Sequence, residues 1–272
     1  MGIPERCGRL VLGLEYDGKS FSGWQTQSDR SSVQDNLEVA LSGVANHKIK
    51  VVSAGRTDAG VHAVGQVVHF DTSAKRELTG WIEGTNSLLK SGISVTWAKV
   101  VSQEFHARYS ALSRTYTYLI LNRLQRPGVL HGKVGWFKKK LSVNHMKEAS
   151  KHLIGLHDFS SFRAAACQSD SPLRKVSALN IAQCDNLIRI DITANAFLHH
   201  MVRNIVGSLV EVGVGKQTPE WIFEILIAKN RDLAGPTFSP DGLFLAKVSY
   251  DLKWNIPGSG KIPFCFGRQH AI

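Results

Sequence analysis

Two short strand-forming runs, Ile49 to Val52 and Gln66 to Phe70, lie on either side of a turn that holds two glycines, one carboxylate and one guanidinium. That turn reads Gly55-Arg56-Thr57-Asp58-Ala59-Gly60-Val61-His62-Ala63. Glycine accepts backbone angles that other residues resist, so Gly55 and Gly60 predict a tight, specially shaped loop between two strands. An Asp on such a loop, with an Arg two residues before it, can be aimed into a cleft and kept ionised. An ionised Asp serves as a nucleophile or a base. Asp and Gly are also ordinary turn formers, and by itself such a pattern more often marks an Asp that simply bonds its own backbone.

The same grammar runs along the rest of the chain. Arg9 to Tyr16 reads as a strand that Asp17-Gly18 ends. Ser31 or Ser32 caps a helix, answered from the third position by Gln34 or Asp35, and Val33, Leu37, Ala40, Leu41 and Val44 follow at helical spacing. Strands over 49–54 and 65–71, a helix over 78–89 and a strand over 94–101 complete a first half. In a second half, Arg114 to Leu121 alternates like a strand, a basic loop fills 122–140, and Val143 to Leu153 reads as a helix. Strands over 176–184 and 187–194 pair through Asp185-Asn186. Leu198, Met201, Val202, Ile205 and Leu209 form the stripe of a helix over 198–212. A helix over 219–228 has Thr218 as its cap and Pro219 at its first position, and the last strand covers 243–250. Strand–helix–strand–strand–helix–strand in each half predicts an α+β fold of two similar halves, with mostly antiparallel sheets and helices on the outer face. Such halves would join around a central cleft. The domain boundaries expected are 1–108, 109–250 and a tail over 251–272, where Pro257, Gly258, Ser259, Gly260 and Pro263 break any pattern.

Charge narrows the function. Thirty-three Lys and Arg against 22 Asp and Glu leave a net +11, which favours fast, salt-sensitive association with a polyanion such as nucleic acid. Hydrophobic residues at 43% permit a sizeable core. The four cysteines, Cys7, Cys167, Cys184 and Cys265, form no CxxC pair, so neither a zinc ribbon nor a redox motif is read. No signal peptide or membrane span is expected, and a reducing cytoplasm fits. No Walker A string, GxGxxG or HExxH is present, so no cofactor and no catalytic metal is expected.

Four further strings carry candidate chemistry. Phe105-His106-Ala107-Arg108-Tyr109 alternates rings and cations, which suits RNA, because rings stack on bases and Arg pairs with phosphate; it equally suits a strand end with two core aromatics. Arg114-Thr115-Tyr116-Thr117-Tyr118 places two tyrosines on one strand face. Phe197-Leu198-His199-His200-Met201-Val202-Arg203 sets Arg203 on the polar side of a helix, with the two histidines about 100° apart and unable to chelate one metal from a single face. Ser161-Phe162-Arg163, with Ala166-Cys167-Gln168-Ser169, forms a loop whose Cys reads as a small buried hydrophobe.

The string GRTDAGVHA closely resembles the signature loop of the tRNA pseudouridine synthase A family. The likeness extends over roughly Leu10 to Tyr250, through Gly13-Leu-Glu-Tyr-Asp-Gly18, Gly23-Trp24-Gln25 and the four strings above. It implies that Asp58 is the catalytic nucleophile, that Tyr116 stacks on the target uracil while Tyr118 stays in the core, and that Arg203 points into the active site. Whether Arg56 or Arg203 grips Asp58, the other holding phosphate, stays open, as does attack at C6 of the base or C1′ of the sugar. Phe105, His106, Ala107, Arg108 and Tyr109 would contact RNA, together with Arg126 in the basic loop and Arg163. The resemblance further implies a homodimer acting on uridines 38 to 40 of the tRNA anticodon stem-loop, with the base flipped from its stack. A non-catalytic RNA binder and a synthase for another RNA are the competing readings. An Asp facing phosphates repels RNA, so its presence needs a chemical reason.

Overall fold

The computed structural model describes residues 8–27, 31–165, 167, 169–258 and 262. Cys7, Cys265, Ala166, Gln168 and most of the expected tail lie outside the described residues. The described chain divides into two compact units, 8–112 with 245–258, and 113–244 with 262. The fold class is mixed α+β with mostly antiparallel strands.

In the first unit, strand β1 (Gly8–Tyr16) leads to helix α1 (Val33–Ala45), the two-residue strand β2 (Val52–Ser53), strand β3 (His62–Thr72), helix α2 (Leu78–Leu88) and strand β4 (Ile93–Val101). The strand order is β4-β1-β3, with β2 paired to β3, and the C-terminal strand Leu243–Tyr250 adds beside β3. Ser32, not Ser31, caps α1 by accepting from the Asp35 N–H at 3.1 Å. The helix ends at Asn46 in the left-handed region, with φ +57°. Ile49, Val51 and Ala54 are buried as a strand would bury them, yet only residues 52–53 join the ladder. The reason lies in α1. Its Ser42 hydroxyl accepts the Ile49 N–H at 2.9 Å and its Glu38 carboxylate accepts the Val51 N–H at 3.1 Å. Side chains satisfy backbone donors that a neighbouring strand would otherwise take.

In the second unit, strand β5 (Ala111–Asn122) is followed by β6 (Gly135–Phe137), helix α3 (Val143–Lys151), strands β7 (Gly155–Asp158), β8 (Leu173–Cys184) and β9 (Leu187–Ala194), and helices α4 (Met201–Gly213) and α5 (Trp221–Ala228); we label the closing strand Leu243–Tyr250 β10. The order is β5-β9-β8-β7, with β6 parallel to β5. The β8–β9 hairpin turns at Asp185, φ +52°, where the sequence places it. Neither β6 nor β7 is legible in the sequence.

Two helix starts move. Helix α4 begins at Met201, not Leu198, because His200 takes a left-handed conformation (φ +60°) that no helix tolerates. His199 and His200 therefore precede the helix, and the 100° separation expected of them does not apply; their ring centroids lie 4.0 Å apart. Helix α5 begins at Trp221, and Thr218 acts through its carbonyl, which accepts the Trp221 N–H in a tight entry turn. The stripe Met201, Val202, Ile205 and Leu209 is buried as expected. No helix among the described residues is long and apolar enough to cross a membrane.

Candidate active site

The Asp58 loop is fixed from three sides. Gln66 is buried against it and donates to the Gly55 carbonyl at 2.8 Å, the loop's own Thr57 is buried, and Asp58 is half-buried. The Val61 N–H donates to the Asp58 carbonyl at 3.1 Å, and Gly60 closes that turn at φ +79°. Gly55 shows no such angle and has open space where a Cβ would sit, so its glycine is not explained by the fold. On the second side, the Trp24 N–H donates to the Thr57 carbonyl at 2.9 Å. Gly23, at φ +95°, lies so close that a Cβ there would sit 2.9 Å from the Thr57 oxygen and 3.2 Å from the Asp58 carbonyl carbon. Gly23 and Trp24 are thus the backing of the loop.

On the third side, β1 delivers Tyr16. A one-residue irregularity between Leu14 and Tyr16 shifts the β1–β3 register just below the loop. The Tyr16 hydroxyl lies 2.8 Å from the Thr57 hydroxyl, and burial pushes its pKa up to about 12. Next to it, the Gly18 N–H donates to His62 Nδ1 at 3.1 Å. Asp17 Oδ1 lies 3.1 Å from the same nitrogen. Arg56 is exposed.

Also in the first unit, the 105–109 string separates by side. Phe105 and Ala107 are fully buried. Phe105 packs against Tyr250 and Trp254 at 5.1 and 5.3 Å. Arg9 grips the segment, donating to the Gln103 and Phe105 carbonyls while its fork holds Asp71 at 2.7 Å. His69 Nδ1 accepts the Ala107 N–H at 3.1 Å, and Tyr250 donates to the Ala107 carbonyl at 2.7 Å. His106 stacks on the exposed Tyr109 at 4.3 Å, and the Arg108 guanidinium lies 5.6 Å from the same ring. Arg108 and Tyr109 are exposed, while the half-buried His106 accepts their N–H groups at Nδ1, at 3.2 and 3.1 Å, and joins Phe105 and Ala107 in anchoring the string.

In the second unit, Tyr116 sits on β5 opposite Ile192, 8% exposed, edge-on to Phe197 at 5.0 Å. Tyr118 is wholly buried, donates to the Ser239 carbonyl at 2.6 Å, and is raised well above the usual phenol range by burial. Arg203 projects from the first turn of α4, and its Nε donates to the Phe238 carbonyl at 2.8 Å. The 235–238 segment that receives it is itself bound to α4. The buried Asn204 accepts from Thr237 at 2.7 Å, Ser208 accepts the Gly235 N–H at 3.0 Å, and Arg231 donates to the Gly235 carbonyl at 3.0 Å. These polar residues inside an apolar stripe carry no sequence signal that separates them from solvated positions.

Arg163 is turned onto its own loop, donating to the Cys167 carbonyl at 2.6 Å. Burial pushes the Cys167 thiol up, but donors from His199 and Ser169 and the Arg163 charge outweigh it and lower its pKa. That thiol is half-buried and hydrogen-bonded, not the packed hydrophobe expected. Arg126, Lys138, Lys139 and Lys140 are exposed. Their loop is pinned by Asn122, which donates to the Phe137 and Lys139 carbonyls and accepts the Leu141 N–H.

A family model described as tRNA pseudouridine synthase matches residues 14–110 and 149–251. The chain belongs to the tRNA pseudouridine synthase family. The synthase is 54% identical over 249 residues to tRNA pseudouridine synthase A of Nitrosomonas eutropha, covering 92% of this chain and 90% of that protein. It is 52% identical over 249 residues to the protein of the same name from Dechloromonas aromatica, covering 92% and 95%. Among solved structures it resembles the archaeal box H/ACA sRNP Nop10-Cbf5 complex at a TM-score of 0.34 and 10% identity, over 83% of this chain and 60% of that one. The synthase is an isomerase acting on tRNA, as the sequence resemblance implies.

Proposed function

We propose that this synthase converts uridine to pseudouridine at positions 38, 39 and 40 of the tRNA anticodon stem-loop, with Asp58 as nucleophile and the target base flipped out of its stack. The observation that carries the reading is the Asp58 loop. A half-buried carboxylate follows directly on a residue bound through both its carbonyl and its hydroxyl. Such fixing orients a reacting group before substrate arrives.

The reaction detaches uracil from C1′, rotates it and rejoins it through C5, whose proton departs. Atoms balance without a redox partner or an energy source. Asp58 attacks C6 of the base or C1′ of the sugar. Tyr116 stacks on the extruded uracil, and unstacking that base costs a few kcal/mol. Arg56 and Arg203 divide the tasks of holding the Asp58 charge and the opened phosphate backbone. The first half of the chain supplies the nucleophile and the second the RNA-binding loops. His106, Arg108 and Tyr109 offer rings and a cation to RNA, with Phe105 and Ala107 as their anchor, and Arg126 and the lysines at 138–140 track phosphate. Arg163 acts by shaping the 163–167 loop. We further propose that the synthase works as a homodimer in the cytoplasm.

The positions are tested on an unmodified tRNA transcript with uridines at 38, 39 and 40. After incubation, pseudouridine is mapped by carbodiimide treatment and primer extension. Stops confined to those three positions are expected. Stops elsewhere in the tRNA, with 38–40 untouched, would overturn the assignment.

A further inference from the structure

Beneath the Asp58 loop lies a buried polar relay that the reaction itself does not use. Gln66 is wholly buried in β3 and Tyr16 nearly so in β1. The Gln66 amide donates to the Gly55 carbonyl at 2.8 Å and toward the Tyr16 hydroxyl at 3.4 Å, while its oxygen accepts the Val67 N–H at 3.2 Å. Tyr16 meets Thr57 at 2.8 Å. The relay thus touches the loop twice, three residues and one residue before Asp58. With the Trp24 N–H on the Thr57 carbonyl, Thr57 is held at both polar ends.

A hydrophobic core has no need of this arrangement. Burying a phenol, an amide and a hydroxyl together costs desolvation that only complete pairing offsets. Phe, Leu and Val at the three positions would bury the same volume without that cost. What the polar version adds is direction, because hydrogen bonds fix the rotation of Thr57 and hence the backbone that leads into Asp58. We infer that Tyr16, Gln66 and Thr57 are positioning residues that set the attack geometry of Asp58. The inference rests on the reading of Asp58 as the nucleophile.

The test compares the full-length wild type with Tyr16→Phe, Thr57→Val, Thr57→Ser, the Tyr16→Phe/Thr57→Val double variant and Asp58→Asn. Each is assayed at saturating tRNA, with tRNA affinity and Tm measured alongside. A misplacement of about 1 Å can cost on the order of a hundredfold in rate. Tyr16→Phe and Thr57→Val are expected to lower kcat about tenfold or more while Kd for tRNA moves less than about twofold. Thr57→Ser, which keeps the hydroxyl, recovers most of the loss. The double variant is no slower than the slower single one, since both remove one shared contact. Wild-type kcat in both single variants, with Asp58→Asn inactive, overturns the inference alone. So does a Thr57→Ser variant as slow as Thr57→Val, which would mark a packing role. Turnover by Asp58→Asn overturns the nucleophile reading and takes the inference with it. Tyr16→Phe removes one buried oxygen, so it decides the matter even if Thr57→Val does not fold.

Discussion

At the scale of single residues, the side chains proposed to carry chemistry are legible as candidates in the sequence, and those that hold the loop are not. Asp58, Tyr116 and Arg203 lie in strings whose residues sit next to one another in the chain, so a resemblance exposes them directly. Thr57 and Gln66 lie 41 and 50 positions from Tyr16 along the chain, and their hydrogen bonds to it exist only after β1 and β3 pair. Asn204 and Ser208 are hidden differently, as polar residues in an apolar stripe that looks the same whether or not it meets the 235–238 segment. Tyr116 yields the sharpest residue-scale prediction. Its ring is edge-on to Phe197, a contact that needs no hydroxyl. Tyr116→Phe keeps the ring and is expected to lose little activity, whereas Tyr116→Ala loses a stack worth about 1–3 kcal/mol. Single-turnover rates on a tRNA transcript separate the two; equal losses would refute stacking.

At the scale of elements, hydrophobic period found every long helix and strand and missed what side chains decide. The run 49–54 looks like a strand because its apolar residues are buried, yet Ser42 and Glu38 of α1 take its N–H groups. The four-residue β7 and three-residue β6 are too short to show a period. The 105–109 turn shows the same dependence on distant residues. His69 must stay neutral to accept the Ala107 N–H. Its pKa is pushed down to about 4, by burial first and then by the Arg9 and His106 charges, against a smaller pull from Asp71. An unfolded imidazole protonates near pH 6.5. Between those values the unfolded chain holds the extra proton. The stabilisation from neutral His69 is therefore complete above about pH 6.5 and is lost as the pH falls toward 4. His69→Asn keeps an acceptor for Ala107 and removes the titration. Its Tm is expected to fall less than the wild type's between pH 6.5 and 4.5. Equal falls would show that His69 does not couple this turn to pH.

At the scale of the whole molecule, the charge of +11 is the property that sequence alone conveys in full. It predicts tRNA binding that weakens linearly in log Kd against log salt. Each exposed lysine among 138–140 that touches a phosphate should lower the slope by about 1 when changed to Gln, with kcat at saturating tRNA retained. A slope unchanged in the triple variant would place the RNA elsewhere. The proposed role of Asp58, a nucleophile presented by a loop held from three sides, has a direct assay. Uridine labelled with tritium at C5 loses its label when C5 bonds to C1′. The measurement is tritium release from [5-³H]uridine tRNA by wild type and by Asp58→Asn, with tRNA binding measured on both. Release by the wild type, none by Asp58→Asn, and tRNA affinities within a few-fold of each other are expected, since a charge that repels phosphate has been removed. Release by Asp58→Asn at the wild-type rate would contradict the proposed role.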